Sequence, residues 1–192
     1  KGGIHVLADK PWILKSVDLP KVEAALAEAD ARKLVAYDIM TERHEITTML
    51  QKAFSQMPAV FGQLRPGTLA DPAVTKESIH HFSKMVSGSP IKRPAWFFDV
   101  AQQGEGLVDI TTHLVDLVQW ECFPGRIINF KTDIEVISAT RWPTKLTLAQ
   151  FTHVTQLREF PDFLQPHVAA DGTLAVYANG EISYRINGVH AK

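Results

Sequence analysis

Two short apolar runs flank a helical pattern at the start of the chain, and that rhythm constrains the fold more than any other feature. Gly3-Ile4-His5-Val6-Leu7-Ala8-Asp9-Lys10-Pro11 is an apolar run that ends at a proline. It predicts a buried strand of about five residues followed by a loop. In residues 16–31, Val22, Ala25, Leu26 and Ala29 recur at helical spacing, with Ser16 as N-cap and Asp18 in the first turn. Leu34-Val35-Ala36-Tyr37 reads as a second buried strand. Strand, helix and strand in so short a span is the rhythm of a right-handed βαβ unit.

The pattern then changes. Residues 45–56 predict a helix with Ile46, Met49, Leu50 and Ala53 on one face. Residues 60–64 predict a strand closed by Arg65-Pro66-Gly67, and residues 66–75 a loop. Residues 75–86 read as a helix capped by Thr75. The aromatic stretch Trp96-Phe97-Phe98 reads as core. Residues 107–120 form the clearest helix, since Leu107, Ile110, Leu114 and Leu117 make an apolar stripe. Residues 134–139 are rich in strand formers, and residues 148–157 in helical ones. Two β-rich runs, 174–177 and 182–186, flank Ala178-Asn179-Gly180-Glu181, which predicts a hairpin. The fold class is therefore α/β followed by α+β: a parallel βαβ piece over 1–40, then a mainly antiparallel open sheet with helices over 41–192.

A chain of 192 residues that is 45% hydrophobic and 21% charged builds a core without staples, and global disorder is excluded. The net charge of −1 argues against a nucleic-acid binder. No apolar run approaches the ~20 residues that cross a bilayer, so no membrane partner is expected. No signal peptide is visible, and residue 1 is Lys, not Met. The compartment stays open between cytoplasm and periplasm. Cys122 stands alone, so it makes no internal disulfide, and Glu121 beside it disfavours a thiolate.

Four constellations carry polar chemistry. Asp109 and His113 are one helical turn apart, with Thr112, Asp116 and Trp120 on the same side, opposite the apolar stripe. A carboxylate one turn from an imidazole can orient it for acid–base work; a solvated polar face is the ordinary alternative. Gly104 and Gly106 lead into that helix and would let a ligand approach its N-terminus. Lys10 follows the first strand, where open α/β sheets bind ligands. Glu77 and His80, at helical i and i+3, could serve a metal, but no other cluster supplies further ligands, and no metal is assigned. Residues 37–44 place four ionisable groups besides Tyr37 after the second strand, and ion pairing explains most of them.

Two of these pieces occur together in one family. Gly3 to Pro11 resembles the GxHVxxEKP strand and loop of the glucose–fructose oxidoreductase / inositol dehydrogenase / rhizopine-catabolism family (Gfo/Idh/MocA). Gly104-x-Gly106-Leu107-Val108-Asp109-x-x-x-His113-x-x-Asp116-x-x-x-Trp120 resembles its catalytic helix. The stretches YDIMTER, TKESIHHF, RPAWFFDVAQQGEG and THLVDLVQWECFP resemble a subgroup of oxidoreductases with a distinctive C-terminal domain. The resemblance implies that 1–40 is the last βαβ portion of a dinucleotide-binding Rossmann domain and 41–192 a substrate-binding, catalytic domain. It implies an NAD- or NADP-dependent dehydrogenase of sugars or polyols, and a homo-oligomer. By the same resemblance Asp9, Lys10 and Pro11 bind the cofactor, and Lys10 also meets substrate. Asp109 holds substrate hydroxyls and orients His113, His113 takes the hydroxyl proton, and Arg43 contacts substrate. Asp9 stands where the family more often has Glu.

The family's glycine-rich dinucleotide fingerprint would precede residue 1, so the chain reads as a fragment that starts inside the Rossmann domain and can end inside the second sheet. Alone it is expected to be inert. Two other outcomes stay open for the same fold. One is redox-assisted cleavage of a glycosidic bond with no net change in cofactor. The other is a non-catalytic carbohydrate-binding or assembly domain. A metal-dependent isomerase using Glu77 and His80 is a remote fourth reading.

Overall fold

The computed structural model describes residues 2–192. The N-terminal strands pair as predicted: β1 (Val6–Ala8) lies parallel to β2 (Ala36–Asp38), with Val6 opposite Ala36. Helix α1 (Leu19–Ala31) joins them after a 3₁₀ turn at Ser16–Asp18. The helix begins two residues later than a Ser16 N-cap predicts, with Asp18 at that position. Pro20 explains this, because it lacks an N–H and is tolerated only in the first turn. The strands are not buried: Val6 is 48% and Leu7 67% exposed. Parallel strands are buried when neighbouring strands and helices cover both faces, and within this chain α1 is the only α-helix between the two.

After a 3₁₀ turn at Thr41–His44, α2 (Ile46–Ser55) follows as predicted. Glu45 caps it, its carboxylate accepting from the N–H groups of Thr47 and Thr48. The strand predicted at 60–64 is replaced by the single turn α3 (Pro58–Phe61), which Pro58 starts and Gly62 stops at φ +72°.

The largest correction falls on 75–86. This segment is extended, not helical, until the two-residue hairpin of β3 (Met85–Val86) and β4 (Ser89–Pro90). Its first residues are engaged by the last strand. Ala73 N–H donates to His190 O at 3.0 Å, Lys76 N–H to Lys192 O at 3.0 Å, and Val74 O accepts from Lys192 N–H at 3.0 Å. Backbone groups committed to a strand edge cannot close helical turns. The Lys76 side chain then pairs with Glu121 at 2.6 Å, with 12% and 4% of the two side chains exposed.

Next come a 3₁₀ turn at Ala95–Phe98, the short α4 (Val100–Gln103) and the long α5 (Gly106–Cys122). The main sheet is antiparallel, in the order β5 (Ile134–Leu146), β6 (Leu174–Ile186), β7 (Val189–Ala191). Helix α6 (Leu148–Thr155) follows β5 and is fixed by a reciprocal capping box between Thr147 and Gln150. Phe97, Phe98 and Phe151 form the aromatic centre of one core against β6, while Trp96 stays half exposed. A second core joins Val118 of α5 to Tyr184, Ile186 and Ala191.

No hairpin forms at Asn179-Gly180: β6 runs straight through it, and Gly180 pairs with Arg141. The two-residue turn is at Asn187-Gly188 instead, with φ of 49° and 81°, between Ile186 and Val189. Gly180 serves packing. A Cβ there would stand 2.8 Å from Thr140 O and 3.0 Å from the Leu107 side chain. Gly106 likewise seats α5 on the sheet, a Cβ at that position meeting Ala178 at 3.3 Å, so its smallness serves the sheet and not a ligand. Replacing Gly180 with Val should therefore destabilise the protein by about 1–3 kcal/mol, as overpacking does. Urea unfolding would show it, and an unchanged midpoint would contradict this packing role.

Candidate active site

The site forms where three separate segments meet on α5. The first is the loop after β1. Asp9 Oδ1 accepts from the Lys10 N–H at 2.8 Å, and the Lys10–Pro11 peptide is cis. Lys10 Nζ donates to Asp109 Oδ1 at 2.5 Å and to the Asp109 main-chain oxygen at 2.6 Å. The second segment is the extended stretch that carries His80, whose Nε2 lies 3.2 Å from Asp109 Oδ2. That contact is within ion-pair distance but is not a well-aligned hydrogen bond. The third is the 3₁₀ turn after β2. Arg43 grips Asp116 with two parallel bonds, Nε to Oδ2 at 2.7 Å and Nη2 to Oδ1, and its Nη1 is 4.0 Å from Asp38.

The electrostatics follow from these contacts. The His80 imidazole, and after it the Lys10 ammonium, hold the Asp109 carboxyl well below the usual carboxylate range, against the opposing effect of burial. The Asp116 carboxylate raises the Arg43 guanidinium further. Burial, with Glu121 adding to it, pushes the Cys122 thiol up, which disfavours a nucleophile there. Among the described residues no group of three or more His, Cys, Asp or Glu side chains could hold a metal ion.

A cleft of about 1080 Å³ opens beside these contacts. Lys10, Pro11 and Trp12 form one wall, and Val108, Thr112 and Asp116 of α5 another. Most of its lining is apolar, and Trp12 Nε1 is buried without a partner. The cleft lies beyond the carboxyl ends of β1 and β2, where open α/β sheets take ligands.

The sequence-predicted residues are thus placed unequally. Lys10 and Asp109 touch, although 99 positions separate them. Pro11 lines the cleft, and Asp9 is exposed with its carboxylate turned to the Lys10 N–H. Arg43 is neutralised by Asp116. His113 Nδ1 is buried and unpartnered, and no hydrogen bond or ion pair joins His113 to Asp109 among the described residues. The imidazole on Asp109 is His80. The sequence reading places His80 on a helix, three residues after Glu77, with no metal assigned to the pair. The signal that could have moved it was the run of Pro66, Pro72 and β-branched residues ahead of it, which favours extended backbone.

A family model described as "Putative oxidoreductase C terminal domain" matches residues 50–192. The chain belongs to this family. It is also similar to a solved structure described as a putative oxidoreductase from Parabacteroides merdae ATCC 43184. The two are 51% identical with a TM-score of 0.91, over 98% of this chain and 43% of that one. The oxidoreductase C-terminal domain chain thus spans less than half the length of that relative. No curated protein matches it. Among its described residues no helix is long and apolar enough to cross a membrane.

Proposed function

We propose that the chain is the catalytic and substrate-binding part of a longer NAD(P)-dependent oxidoreductase of the Gfo/Idh/MocA type, acting on a sugar or polyol hydroxyl. In this reading 1–40 is the end of a Rossmann domain. The observation that carries it is the contact of Lys10 with Asp109, which joins the two motifs of the resemblance in one site. The cleft beside that contact supports it. Its apolar walls and the unused Trp12 Nε1 donor fit a nicotinamide ring, with Lys10, Pro11 and Trp12 as the holding residues.

Bound there, the nicotinamide supplies the hydride acceptor or donor. The chain's own residues handle the substrate and its proton. An ammonium group has three N–H donors, and Asp109 takes two of those on Lys10. The third is free for the oxygen of the reacting carbon, where it stabilises developing negative charge. Asp109 stays ionised and fixes the ammonium. The resemblance assigns the hydroxyl proton to His113, one turn after Asp109 on α5, whose Nδ1 is buried and unpartnered.

Denaturing the full-length protein should release a nicotinamide dinucleotide, identified by mass spectrometry. No release, together with no binding of added NAD or NADP by calorimetry, would overturn the proposal.

A further inference from the structure

We propose that His80 is a positioning residue of this site: it grips Asp109 at Oδ2 and keeps that carboxylate aimed at Lys10. Its catalytic meaning rests on the oxidoreductase reading above; the grip itself does not.

Asp109 is held from two sides by different parts of the chain. Lys10 comes from the loop after β1 and takes Oδ1, while His80 comes from the extended segment and faces Oδ2. On α5 itself the neighbouring ionisable groups are Glu105, one turn earlier and paired with Arg141, and His113, one turn later. A carboxylate held at one oxygen only can swing and offer both to an ammonium. With Oδ2 occupied, Lys10 is confined to Oδ1 and keeps a free N–H for substrate.

His80 is itself held firmly enough for that role. Its side chain is 6% exposed. Its ring meets Phe82 and Phe97 edge-on, at centroid distances of 5.0 and 6.0 Å. Four residues earlier, the Lys76–Glu121 pair ties the segment to α5. Neither His80 nitrogen makes a well-formed hydrogen bond, and a buried polar ring with none is unfavourable. Asp109 supplies the carboxylate within ion-pair distance that compensates it. Contacts of this kind are often poorly aligned in a free enzyme and tighten when substrate binds.

The test compares His80→Gln with His80→Asn in the full-length protein. The Gln amide nitrogen takes the place of Nε2, and the Asn amide stops short of Oδ2. The readout is the Asp109 carboxyl titration, followed by carbon NMR on protein without added substrate. His80→Asn should raise the Asp109 midpoint by about 1 unit or more, and His80→Gln should keep it close to wild type. His80→Phe should behave as Asn does if it folds. Equal midpoints in wild type and His80→Asn, or equal midpoints in the Asn and Gln variants, would overturn the proposal. A raised midpoint in His80→Asn from a protein that binds no nicotinamide dinucleotide would support the grip on Asp109 and overturn the oxidoreductase reading alone.

Discussion

On the proposed reading, Asp109→Asn is expected to lower kcat of the full-length protein by about 10²–10³-fold, the cost of losing one oriented donor to the reacting oxygen. The substitution keeps the shape and removes the charge. Lys10, with 12% of its side chain exposed, then loses its counter-ion, and its ammonium no longer has one fixed direction. The KM should change less than kcat if, as proposed, the third N–H of Lys10 acts on charge that develops during the reaction. The pH dependence has a definite sign. The Asp109 carboxyl is depressed in the folded state, so its stabilising contribution is complete above the ordinary aspartate value of about 3.9 and is lost as pH falls below it. Any acid limb of activity above pH 5 therefore belongs to another group, and it should persist in Asp109→Asn. Steady-state kinetics over pH 5–9 check both statements. An Asn variant with wild-type kcat would remove Asp109 from the mechanism.

Which parts of this site could be read from the chain depends on where the constraint resides. Lys10 and Asp109 sit at the end of a strand and on the face of a long amphipathic helix, and local periodicity marks both positions. The parallel β1–β2 pair, α2, α5 and α6 are legible for the same reason. The position of His80 is only weakly local. Pro66, Pro72 and the β-branched residues before it disfavour a helix, but what fixes the segment is its bonding to residues 190–192, more than 110 positions away. The two Asn-Gly pairs make the same point. Asn179-Gly180 and Asn187-Gly188 carry equal turn propensity, yet only the second turns. The first lies under Leu107 of α5, where a side chain would not fit, so packing decides between them.

Glu121→Ala should produce the largest loss of stability, about 3–5 kcal/mol, because it strands the Lys76 ammonium in a site where 12% of that side chain meets solvent. The pair links the extended segment to the last turn of α5, and Gln56 Nε2 donates to the Glu121 main-chain oxygen at 2.6 Å, binding the end of α2 to the same point. Two ions taken from water recover their desolvation only through each other, so removing both is far milder than removing one. The double variant Lys76→Met with Glu121→Leu should unfold within about 1 kcal/mol of wild type in urea. A single variant as mild as the double would mean that water already reaches Lys76. The pair also sits four residues before His80, so Glu121→Ala should loosen the grip on Asp109. In that variant the Asp109 titration should rise along with the loss of stability, while the double variant, which replaces the ion pair with apolar packing, should keep it low. Stability and titration moving together in the single variant and recovering together in the double one would tie the buried ion pair to the geometry of the active site.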